Sequence, residues 1–116
     1  MKRFFLAALL LTAACDITQP VAVIGESGEV FRGTATASMT TGGSFKVTNG
    51  RINCGGTYDA SSVSRTVSFP VVCSDGRKGL GTATRDANGI TGSGTIRMND
   101  GSDWTFVFGP AAEAFN

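Results

Sequence analysis

Gly92-Ser93-Gly94-Thr95-Ile96-Arg97-Met98-Asn99-Asp100-Gly101-Ser102-Asp103-Trp104-Thr105-Phe106-Val107-Phe108 alternates polar residues with apolar or small ones on both sides of an Asp-Gly pair. A period of two puts Gly92, Gly94, Ile96 and Met98 on one face of an extended strand, with Ser93, Thr95 and Arg97 on the other. Trp104, Phe106 and Phe108 then make the strongest apolar face of the chain. Asp100-Gly101 between them is a dipeptide that type I′ hairpins favour, because both central residues of that turn take positive φ. The stretch predicts a hairpin with one dry face and one wet face.

The same pattern extends backwards. Asn49-Gly50, Asp75-Gly76 and Asn88-Gly89 are further turn pairs, and Thr41-Gly42-Gly43 is a fifth turn signal. Between them Phe31, Gly33, Ala35, Ala37 and Met39 share a face, as do Phe45 and Val47, and Val67, Phe69, Val71 and Cys73; Ile90 precedes Gly92 on its face. After residue 14 the only leucine is Leu80, while threonine, valine and glycine abound, so strands are favoured over helices. The exception is a single turn at Ala111-Ala112-Glu113-Ala114.

These signals predict an all-β domain: a small antiparallel meander, a curled sheet or a small barrel of about seven to eight strands. Glycine and alanine on the dry face let strands bend around a narrow interior, which Phe31, Phe69, Trp104 and Phe106 are expected to fill. Cys54 and Cys73 complete the scheme with one disulfide. If Ser62 to Arg65 form the loop, Cys54 stands opposite Cys73, Gly56 opposite Val71 and Tyr58 opposite Phe69. If the loop is Asp59 to Ser64, Cys54 stands opposite Phe69 and a bulge at Gly55-Gly56 is needed. A faint repeat matches Gly33 to Thr36 with Gly81 to Thr84, and Gly43 to Gly50 with Gly94 to Gly101. It reads as two three-stranded meanders joined by the strand through Val67 to Cys73.

The amino terminus reads differently. Met1-Lys2-Arg3 is basic, Phe4 to Leu11 is apolar but too short for a stop-transfer helix, and Thr12-Ala13-Ala14 is small. That order describes a secretory signal peptide over residues 1–14. Its end at Cys15 resembles the lipobox of bacterial lipoproteins, with Thr12 where the family usually has leucine. The resemblance implies a diacylglyceryl group on Cys15, cleavage before it and acylation, commonly palmitate, of the new amino group. Thr12-Ala13-Ala14 also suits the ordinary leader peptidase. Lipidation of Cys15 leaves an even cysteine pair in an oxidising compartment, where a disulfide persists. Asp16 resembles the inner-membrane retention signal of enteric bacteria, so inner and outer membrane both stay open. The chain then divides into the leader 1–14, Cys15 with a tether to residue 20, a β domain over 21–110 and a tail over 111–116.

Composition excludes several activities. The chain has no histidine, and removing Lys2 and Arg3 with the leader leaves eight basic residues against nine acids, a formal net charge of −1. No nucleic-acid footprint follows from such a balance. With no Ser or Cys set beside a base, no catalytic residue is assigned and no enzyme is expected. Neither a metal nor a cofactor is expected; Asn99, Asp100 and Asp103 lack the spacing of a calcium loop. Asp75, Arg77 and Lys78 are candidate partner contacts at a hairpin tip. The last third, from Cys73-Ser74-Asp75-Gly76 through Asp103-Trp104, is similar to small glycine-rich envelope proteins of proteobacteria that carry no assigned activity. The expected role is a lipid-anchored, periplasm-facing structural or interaction module of the cell envelope with a protein partner there. The alternative is a barrel that inhibits a lytic enzyme or holds a small ligand.

Overall fold

A sheet that is apolar on alternate positions hides its dry face by rolling up on itself. In the computed structural model, which describes residues 16–38, 42–59, 64–86 and 91–115, eight strands close into an antiparallel barrel. They are β1 (Asp16–Ile24), β2 (Val30–Ser38), β3 (Gly42–Thr48), β4 (Asn53–Tyr58), β5 (Thr66–Cys73), β6 (Lys78–Arg85), β7 (Gly92–Met98) and β8 (Asp103–Phe108). Each pairs with the next, and β8 returns to β1 through Val21↔Phe108 and Val23↔Phe106. Closure removes the free edges that an open sheet of this size would leave.

The inward positions are those the alternation marks. Phe31, Phe45, Val47, Phe69, Val71, Ile96, Met98, Trp104 and Phe106 are all buried. Thr34, Lys46, Ser68, Thr82, Thr95 and Arg97, at the intervening positions, are outward or partly exposed. Met39, Thr41 and Ile90 lie outside the described residues, as does Asn88-Gly89. The repeat falls on β2 with β6 and β3 with β7, strands half a barrel apart. Its registers differ by two residues: Gly33 faces Val47, whereas Gly81 faces Ile96.

Two expectations are corrected and one is extended. Residues 16–20 are no tether but the first half of β1, with Ile17 opposite Ala37 and Gln19 opposite Ala35. Ile17, Gln19, Val21 and Val23 share one parity, so the segment continues the inner face of the barrel, and the β domain starts five residues earlier than its composition indicates. The tail is the one extended: the helical turn expected at Ala111 to Ala114 forms as the 3₁₀ helix Pro110–Phe115, packed against β1 with Ala112 buried. The turns are the second correction. Among the described residues no non-glycine residue has positive φ, while Gly50, Gly76 and Gly101 stand near +90°. At 73–77 and 98–102 the Gly76 and Gly101 amides donate to the Cys73 and Met98 carbonyls, and Cys73 and Met98 donate to Arg77 and Ser102. This is a type I turn ending in a glycine bulge rather than a type I′ turn. Asp75 and Asp100 favour it by accepting the Arg77 and Ser102 amides on their carboxylates. An unforeseen hairpin of the same kind joins β1 to β2 at Gly25 to Glu29.

Cys54 stands opposite Cys73 and the disulfide forms, with Cα atoms 4.0 Å apart. Beyond Gly55↔Val72 the β4–β5 ladder stops, so Gly56↔Val71 and Tyr58↔Phe69 are not register pairs. The Pro70 carbonyl presses so close to Gly56 that a Cβ there would lie 2.1 Å from it.

Candidate functional site

The strands run between two unlike ends. One end carries the hairpins between β1 and β2, β3 and β4, β5 and β6, and β7 and β8. There Phe31 and Trp104 stack with ring centroids 5.1 Å apart, and the Arg77 guanidinium lies 4.7 Å above the Trp104 ring. Trp104 Nε1 donates to Ser102 Oγ at 3.1 Å, and Asp103 N donates to Glu26 Oε2 at 2.8 Å. This end is a floor.

A middle layer follows, in which Phe69 meets Phe45 and Phe106 edge to face at 5.3 and 5.4 Å. Such geometry sets the positive edge of one ring against the negative face of another. Above it the inner face turns small. Ala35 and Ala37 on β2 and Ala83 on β6 project too little to meet across the lumen, and a cavity of about 180 Å³ remains. The expected filling of the interior by Phe31, Phe69, Trp104 and Phe106 is thus incomplete: they fill the floor and the middle and leave the mouth hollow.

The cavity wall is apolar, formed by Val21, Val23, Phe45, Phe69, Ile96 and Phe106 among others. Among the described residues its polar side chains are three: Gln19 on β1, Tyr58 on β4 and Arg85 on β6. Tyr58 is half-buried because its ring lies over Gly43, its cross-strand partner, where a Cβ would sit 2.4 Å from the ring. Burial pushes the Tyr58 phenol above its ordinary pKa, and the nearby Arg85 charge pulls partly the other way. Arg85 Nη2 reaches the Asp59 carbonyl at 3.5 Å, which sets the guanidinium beside the end of β4.

Of the residues singled out from the sequence, Cys15 lies outside the described residues, bonded to Asp16 where β1 begins. Asp75 and Arg77 meet each other at 2.8 Å, with Arg77 committed to the Trp104 face; Lys78 is exposed where β6 starts. Asp100 accepts both the Ser102 amide and its hydroxyl, which hold its carboxyl below the usual range, and Asp103 pairs with Arg97 at 2.7 Å. The Asn99-Asp100-Asp103 group therefore serves a turn. Gln19, Tyr58 and Arg85 were not singled out. A signal for two of them exists: Tyr58 shares the parity of Cys54, and Arg85 that of Ala83, so both belong to the inner face.

No protein-family profile and no curated protein matches this chain. Two solved structures do. A redesigned β-barrel, mFAP1, bound to DFHBI, is 17% identical with a TM-score of 0.62 over 79% of this chain and 91% of that one. A second, a de novo designed fluorescence-activating β-barrel, is 21% identical with a TM-score of 0.58 over 78% and 88%. At these identities the likeness is one of fold.

Proposed function

We propose that this protein is a small-ligand binding barrel, held at a bacterial envelope membrane through an acylated Cys15. The observation that carries the reading is the apolar cavity at one end of an otherwise filled barrel. An engineered cavity of about 150 Å³ lined by apolar side chains stays dry and takes up benzene, so 180 Å³ suits one ring or a chain of roughly six to eight carbons. A void of this kind forfeits dispersion contacts that a ligand restores. One of the two structural neighbours is described as bound to a small molecule, which is in keeping with the reading.

Cys15 precedes Asp16, and Asp16 opens β1 at the hollow end of the barrel. A lipid on Cys15 would therefore hold the mouth toward the bilayer surface, close to a source of apolar ligands. The interaction-module reading keeps one observation of its own, the exposure of Val72 and Leu80 on the outer face of β5 and β6.

Titration of the purified protein with 1-octanol, followed by NMR, tests the binding reading. The methyl signals of Ala35, Ala37 and Ala83 are expected to shift saturably, while those of Val47 at the floor stay in place. Ala83→Leu, which extends a larger side chain into the void, is expected to abolish the shifts in a folded barrel. A wild-type protein whose alanine methyls do not respond would remove the binding reading.

A further inference from the structure

The cavity wall is bonded unevenly. On one side of β5 the ladder to β6 runs from Thr66↔Thr84 to Val72↔Lys78, and β3 holds β4 from Gly43↔Tyr58 to Thr48↔Asn53. Among the described residues the register pairs between β4 and β5 are Cys54↔Cys73 and Gly55↔Val72 alone. The cause is local. Ser74 N donates to the Asn53 carbonyl at 2.7 Å, so residues 53 and 74 make a bonded rung, and a period of two puts the next bonded rungs at Gly55 with Val72 and at Thr57 with Pro70. Proline has no N–H to give, and the ladder ends where that donor is missing. The Pro70 carbonyl leans instead on Gly56, where a Cβ would lie 2.1 Å from it. Thr57, Ser68 and Pro70 are exposed on the outer side of this stretch, whereas Tyr58, Val67 and Phe69 line the lumen behind it.

We propose that this seam is the yielding part of the cavity wall and that Pro70 sets the upper size of the ligand, admitting unbranched hydrocarbon chains longer than the roughly six to eight carbons that the resting lumen holds. This rests on the binding reading above and specifies its ligands. A longer tail runs into Phe69, which stands edge-on to Phe45 and Phe106 beneath the cavity. Phe69 belongs to β5, so making room for the tail moves β5, with β6 attached, away from β4. Across a complete ladder that movement would break main-chain hydrogen bonds, which are costly to leave unmade. At Thr57 and Pro70 there is no rung to break, and the exposed outer side lets water serve the main-chain groups that face the seam. The disulfide keeps the two strands together at the floor end, and the long Arg85 side chain, which reaches the Asp59 carbonyl at 3.5 Å, bridges them at the rim; the yield lies between the two.

Calorimetric titrations with 1-octanol and 1-decanol test this. Each further methylene buried should tighten binding about fourfold, so 1-decanol is expected to bind the wild-type protein more than about tenfold better than 1-octanol. Pro70→Val and Pro70→Ala each restore the missing N–H. In both, confirmed as folded by circular dichroism, 1-octanol should bind as it does to the wild type and 1-decanol no more than about twofold better, because a complete rung stops the wall from yielding. One measurement needs no variant: in the wild type, NOEs are expected to place the terminal methyl of bound 1-decanol against Gly56 and Phe69 rather than against Val21 and Val23 on the opposite wall. Equal binding of the two alcohols to the wild type, NOEs to the opposite wall, or a preference for 1-decanol that survives in both Pro70 variants overturns the yielding seam while leaving a binding barrel standing. Failure of both alcohols to bind overturns the barrel's binding role as well.

Discussion

The floor and the mouth are built on the same eight strands and the same alternation, yet one end is solid and the other hollow. At the floor the inward positions hold Phe31, Val47, Met98 and Trp104, large enough to interlock, and the exposure of each is 3% or less. At the mouth the corresponding positions hold Ala37, Gly43, Ala83 and Gly92, with Ile17, Tyr58, Arg85 and Phe108 as the larger groups. Floor hairpins are short and tied by Asp75, Asp100 and Glu26 to neighbouring amides. A barrel of eight strands has an interior just wide enough for side chains to fill, so substituting alanine and glycine on one layer is sufficient to open it. Large buried side chains are concentrated at one end and cavity volume at the other.

The strongest way to break this division is to hollow the floor as well. Trp104→Ala removes a ring that is 2% exposed, stacked on Phe31 and covered by Arg77. Burial loss and the resulting cavity together are expected to cost about 3–5 kcal/mol, seen as a lower urea midpoint with the slope kept. Ala35→Gly at the mouth should cost no more than about 1 kcal/mol, because it deletes one methyl from a wall that is already underpacked. Equal costs at the two ends would mean that the barrel does not concentrate its stability at the floor.

Next in size is the disulfide. It clamps the β4–β5 seam, where the ladder has the pairs Cys54↔Cys73 and Gly55↔Val72 and then stops. The bond closes a loop between residues 19 apart in sequence. The double variant Cys54→Ser, Cys73→Ser should lose about 3 kcal/mol, chiefly through the freed unfolded chain. Native-state hydrogen exchange would place the increased opening on β4 and β5 rather than on the β6–β7–β8 meander; uniform exchange would argue against a weak seam.

The parity of apolar residues made the floor legible in the sequence, because Trp104, Phe106, Val71 and Cys73 are conspicuous and their faces follow from counting by two. The cysteine pairing was equally legible, since the register that sets Cys54 against Cys73 needs no bulge. The mouth was hidden by the same rule. An alanine on an inner face marks a wall without saying whether a larger side chain fills the space opposite, and that depends on which strands face each other across the closed barrel. β1 was hidden for another reason: Asp16-Ile17-Thr18-Gln19-Pro20 is polar and ends in proline, and only pairing with β2 makes it a strand. The turn types went astray because Asn-Gly and Asp-Gly serve glycine-bulge turns as readily as type I′ ones once the aspartate accepts a backbone amide.

The smallest expected effect is also the one that reads the mouth directly. Tyr58 is the chain's only tyrosine, so absorbance near 295 nm reports its phenol alone. Burial disfavours the phenolate, and the midpoint in the folded protein is expected above the ordinary value of 10.0. Because the folded state holds that proton more tightly than the unfolded chain, its contribution to stability is complete below pH 10 and fades as pH rises through the folded midpoint. Arg85→Gln should raise the midpoint further, since the guanidinium now favours the phenolate. A midpoint that ignores Arg85 would separate the two groups and dissolve the rim as a unit, whereas a coupled shift, absent in Arg77→Gln at the floor, would locate the charge that governs the mouth.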